Sequence, residues 1–113
     1  RLQTVTDGLH AVAEDVSLEL HRAVAERLLE EPALVERARQ RVAGWLRDGS
    51  VAGPYAEAWR AVLAEPVEVV ARFLADPGER ARQLRQTSPF AGFLEPRTRW
   101  SIWRRSRRRA ART

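Results

Sequence analysis

Apolar residues along this chain recur at intervals of three and four, and no stretch of useful length alternates with a period of two. Leu20, Val24 and Leu28 form the first clear stripe, with Ala23 and Arg27 beside it. They predict a helix from Val16 to near Glu30 that Asp15 or Ser17 caps. Pro32 stands where a first helical turn accepts proline, and Val35, Ala38, Val42, Trp45 and Leu46 share a face until Gly49 ends the second helix. The segment 48–54, DGSVAGP, is turn chemistry. Tyr55, Ala58, Trp59, Val62 and Leu63 make the stripe of a third helix. Glu65-Pro66 restarts the chain into a fourth, with Val67, Val70, Phe73 and Leu74, which Asp76-Pro77-Gly78 stops. Residues 79–87 predict a fifth helix with Ala81 and Leu84 turned inward. Each proline falls at a boundary, so the fold class is all-α: a compact bundle or irregular array of about five to six short helices.

The stretch from Leu84 to Arg104, LRQTSPFAGFLEPRTRWSIWR, holds two Pro, two Phe, two Trp and a Gly. Pro89 biases Ser88 away from helix and Gly92 tolerates conformations closed to other residues, so a shaped turn follows the fifth helix. Phe90, Phe93 and Leu94 are too apolar for a freely solvated loop. Pro96 then opens a sixth helix carrying Trp100 and Trp103 on one face. The pattern reads helix, aromatic plug, helix. It supports two roles for the plug, closing this domain's own core or docking into another protein.

Residues 1–15 carry weak apolar spacing and an interior Gly8, and read as a flexible or partner-dependent arm. Residues 16–104 read as a single helical domain, and 105–113 as an arginine-rich tail. A chain of 113 residues offers one small core and little room for a deep catalytic cleft. All 20 basic residues are Arg, which reads first as the mark of a GC-rich genome; their placement says more. Residues 1–96 hold 12 Arg against 15 acids, whereas from Arg97 onward there are eight Arg and no acid.

Cys is absent, which excludes disulfides, thiolate nucleophiles and Cys-containing zinc sites. No stretch approaches a membrane-spanning length and no secretory pattern opens the chain, so a cytoplasmic location without membrane contact is expected. His10 and His21, on one helix, would stand roughly 16 Å apart, too far to share a metal. Ser17 and His21 lie at i, i+4 with Glu14 and Glu19 nearby, a spacing that nucleophile chemistry could use. Helix capping and a surface histidine explain the same letters and are preferred. The glycines are scattered and form no phosphate cradle. The chain is therefore read as no enzyme, with no cofactor and no metal.

The charged face of the second helix, Glu36, Arg37, Arg39, Gln40, Arg41 and Arg47, reads as solvated surface because acids are interspersed. In the tail, Arg105, Arg107, Arg108, Arg109 and Arg112 could neutralise phosphates, and the two tryptophans could stack on bases. Alternatively Trp100 and Trp103 form a core stripe, the preferred reading, and the basic terminus meets an acidic protein.

The string from Leu20 to Arg104, with LHRAVAERL, PYAEAW and LRQTSPFAGFLEPRTRW, resembles small bacterial helical proteins typically encoded beside a nucleotidyltransferase-like toxin. Its most specific part is Ser88-Pro89-Phe90-Ala91-Gly92 with Arg99-Trp100 and Ile102-Trp103-Arg104. The resemblance implies a type II antitoxin that neutralises a cognate toxin by direct protein–protein binding. Pro89, Phe90, Phe93, Arg97, Arg99, Trp100, Trp103 and Arg104 are then the candidate partner contacts. The alternative is an autonomous nucleic-acid-binding module using the basic C-terminal helix. Some relatives carry an N-terminal helix-turn-helix module, for which the residues before Leu20 leave no room.

Overall fold

The chain's computed structural model describes residues 2–112, with side chains from Ala11 onward. Six α-helices follow one another: α1 (Leu2–Glu30), α2 (Val35–Asp48), α3 (Gly53–Leu63), α4 (Val67–Leu74), α5 (Glu79–Arg85) and α6 (Pro96–Arg112). A single 3-10 turn at Pro32–Leu34 joins the first two, and among the described residues there is no strand. The all-α expectation and its boundaries at Pro32, Gly49, Pro66 and Pro96 are met.

The start of α1 differs from the expectation. The helix runs unbroken from Leu2, so the segment read as an arm is helical and no cap forms at Asp15 or Ser17. A helix of 29 residues spans about 43 Å at ~1.5 Å per residue, which matches the longest dimension of the molecule, 43 Å. It is the spine on which α4, α5 and α6 pack, while α2 and α3 form an adjoining pair. Glu14 reaches Arg82 of α5 at 3.5 Å, and Asp15 pairs with Arg109 of α6 at 2.7 Å.

The core is built from the predicted stripes: Val24 and Leu28 of α1, Val35, Ala38 and Val42 of α2, Trp59 and Leu63 of α3, Val70 and Leu74 of α4, and Leu84 of α5. Leu46 and Tyr55, expected to face inward, are instead exposed at the α2 and α3 ends of their stripes. At the centre Trp59 is fully buried, with Phe73 edge-on at 5.8 Å and Phe90 edge-on at 6.0 Å. Phe93 continues the chain of rings, 5.1 Å from Phe90.

Four of the helices have 14 residues or fewer, so a large share of their carbonyls lies in the last turn without an intrahelical donor. Side chains from elsewhere supply the donors. The Trp59 indole N–H donates to Leu84 O at 3.1 Å and Thr87 O at 2.6 Å, closing α5. Arg85 donates to Asp76 O at 2.6 Å beyond the end of α4, and Arg39 to Leu63 O at 2.8 Å at the end of α3. Cations at helix C-termini also complement the backbone dipole. Among the described residues no buried side-chain nitrogen or oxygen lacks a partner.

Trp59 should therefore be the most sensitive core position. Trp59→Ala is expected to destabilise by about 3–5 kcal/mol, and Trp59→Phe, which keeps a ring but removes the donor, by about 1–3 kcal/mol. Urea unfolding monitored by circular dichroism measures both. Equal stability of wild type and Trp59→Phe would remove the indole N–H from this account.

Candidate partner interface

The plug between α5 and α6 is held from three sides. Ser88 turns the chain by accepting the Phe90 N–H at 3.1 Å. Gly92 sits at φ 84°, where a residue with a Cβ is strained. From α2, Arg41 Nη1 donates to Pro89 O at 2.9 Å and Ala91 O at 2.8 Å, and the Arg37 and Arg41 guanidinium groups lie 4.6 and 5.7 Å from the centre of the Phe93 ring. Arg41, read as solvated surface, is thus a half-buried structural clamp, while Arg37 and Arg39 remain exposed as expected though each makes one contact with the fold. The two turn carbonyls that Arg41 grips leave no mark in a sequence.

The third hold is His21. Its Nδ1–H donates to the Ser17 backbone carbonyl at 2.7 Å, because a carbonyl can only accept. Nε2 must then accept, and the Ser88 hydroxyl donates to it at 2.7 Å. His21 is buried, not the surface residue expected, and its partner is the Ser88 hydroxyl, 67 positions away, in place of the Ser17 hydroxyl. Burial pushes its pKa down to about 4, aided by the nearby Arg85 charge and opposed by the Ser17 carbonyl. The arrangement ties α1 to the plug through a neutral imidazole.

Pro89, Phe90 and Phe93 are buried, the two rings at 4% exposure each, so the plug closes this chain's own core. These three candidate contacts are not presented to a partner. The tryptophans are placed the other way. Ile102 and Ser106, at i, i+4, form the buried face of α6, whereas Trp100 is 58% exposed and Trp103 36%. The preferred reading of Trp100 and Trp103 as a core stripe is therefore overturned. The pattern chose the larger side chains, but on this helix the smaller Ile102 and Ser106 permit close approach to α1.

On the outer face the two indoles stack on each other, 5.2 Å apart and 15° from parallel, with the Arg107 guanidinium 4.8 Å from the Trp103 ring. Arg97 and Arg104 flank the pair, at i−3 and i+4 from Trp100. Arg99, Arg105, Arg108 and Arg112 are exposed as well, and among the described residues none of these arginines enters an ion pair. Arg109 is the exception: its bonds to Asp15 and to Ser106 Oγ, at 2.7 and 3.3 Å, dock α6 on α1. The chain thus presents one helix face with two stacked indoles among cations. Among the described residues no cluster of His, Asp and Glu could hold a metal ion, and no helix is long and apolar enough to cross a membrane.

Comparison with protein-family models, curated proteins and solved structures gives no match to this chain.

The neutral imidazole carries a pH dependence. With a folded pKa near 4 against an ordinary 6.5, the unfolded chain binds more protons between those values. This contribution to stability is complete above the unfolded value and is lost as pH falls toward the folded one. Between pH 7 and pH 4 it should fall by roughly 2–4 kcal/mol. His21→Gln should flatten that part of the profile in urea unfolding series, and an unchanged slope would separate His21 from it.

Proposed function

We infer that this chain is a protein-binding module of the antitoxin kind, which neutralises a cognate, nucleotidyltransferase-like toxin by covering it directly. One observation carries the surface assignment: the exposed Trp100–Trp103 stack on α6, ringed by Arg97, Arg104 and Arg107. Trp and Arg are the residue types that concentrate binding energy at protein interfaces. The resemblance of the stretch around Ser88 to Arg104 supports the antitoxin class. The contacts are accordingly Arg97, Trp100, Trp103 and Arg104, with Phe90 and Phe93 acting behind them as the wedge that orients α6. The reading assigns the chain no catalytic step.

Co-expression with the protein encoded beside its gene provides the test. Growth should be restored and a complex should co-elute. The double variant Trp100→Ala and Trp103→Ala should weaken the complex by about 2 kcal/mol or more while leaving thermal stability nearly unchanged. Rescue that survives both substitutions would take the interface off this face.

A second reading is favoured by the same helix, since stacked indoles and eight arginines without an acid also suit single-stranded nucleic acid. Titration of an oligonucleotide at increasing salt distinguishes it. Each neutralised phosphate on a single strand contributes a slope of about −0.7 in log K against log salt. A steep slope abolished by Arg104→Glu and Arg108→Glu would establish this reading, and weak, salt-insensitive association would dismiss it.

A further inference from the structure

An open cleft of about 370 Å³ lies between α1, the plug and the first turn of α6. Val16 and Leu20 of α1 and Leu94 of the plug line it, all half-buried and apolar. His21 and Ser88 lie in its wall and bond to each other. Arg99 stands at its margin, exposed and, among the described residues, without an ion-pair partner. The α1 acids on this side do not offset that charge, because Glu14 pairs with Arg82, Asp15 with Arg109 and Glu19 with Arg22. A cleft of this size and lining is of the kind that takes an apolar group, with the few polar atoms fixing its orientation.

Arg99 and Trp103 are i, i+4 neighbours on α6, so the cleft is continuous with the stacked indoles and with Arg107 beyond them. A small ligand would occupy the cleft and leave that strip uncovered. A chain segment would cover both, and the excess of α6 cations, eight Arg following the lone Glu95, selects its charge. We propose that the cleft receives an apolar side chain of a protein partner, flanked in the partner's sequence by carboxylates that meet Arg99 and Arg107. The inference rests on the protein-binding reading above and names the chemistry the partner must offer.

The probe is a fluorescein-labelled peptide with Leu-Phe at its centre and two Glu on each side, titrated by anisotropy into the full chain. Ala13→Trp, at an exposed position lining the cleft, fills it, and Arg99→Glu reverses the charge beside it. Each should weaken binding about tenfold, and a peptide with Lys in place of Glu should bind wild type about tenfold less and recover on Arg99→Glu. If circular dichroism shows Ala13→Trp to be unfolded, Ala91→Trp blocks the cleft from the exposed side of the plug. Binding that ignores both cleft-filling and charge overturns the proposal, as does the absence of binding by either peptide. Octanoate binding alone as tightly as the acidic peptide would reassign the cleft to a small carboxylate and also overturn it. No toxin is present in this titration, so its failure leaves the antitoxin reading to the co-expression test.

Discussion

The indole of Trp59 joins the core to the C-terminal half of the structure through both its N–H and its ring. It donates to Leu84 O in the last turn of α5, which also accepts the Thr87 N–H, and to Thr87 O two residues beyond the helix. The same ring is the anvil for Phe73 and Phe90, so the group that stops α5 also positions the plug that follows. Pro96 begins α6 three residues after Phe93, and the direction of that helix is thereby set from the core. Hydrogen bonds and ring contacts made by one side chain thus act, together with the docking of α6 on α1, to place the exposed tryptophans.

The arginines divide by the partners they meet more than by sequence position. Arg39, Arg41 and Arg85 spend their donors on main-chain carbonyls at helix ends and in the plug. A long guanidinium stem can carry charge from the surface to such a carbonyl while its methylenes cover apolar neighbours. Burial lowers the pKa of Arg85, with the Asp76 charge opposing that shift. Among the described residues no arginine of α6 donates to such a carbonyl, and Arg109 bonds instead to the Asp15 carboxylate and Ser106 Oγ. That contrast turns the outer face of α6 from an ordinary charged surface into a candidate interface.

Much of the fold was legible because its signals are local. The prolines at 32, 66 and 96 and the left-handed Gly49 mark boundaries that depend only on nearby backbone, and the stripes on α2, α3 and α4 follow from spacing. The candidate site was harder to read. Trp100, Ile102 and Trp103 stand within one helical turn, and either flank could have faced inward; spacing alone favoured the larger rings. Contact with α1, through Ser106 and the Asp15–Arg109 pair, decided for Ile102. Likewise the bond between His21 and Ser88 joins residues 67 positions apart, and periodicity gives no information at that distance.

The grip of Arg41 on the plug differs in kind from that of the aromatic rings. It holds Pro89 O and Ala91 O, atoms that every amino acid possesses. The side chain at the exposed position 91 takes no part in the grip. A substitution at that position leaves the grip intact, whereas Arg41, Phe90 and Gly92 each carry part of the loop's shape. The rim of the cleft can therefore change its chemical character without any change in the scaffold beneath it.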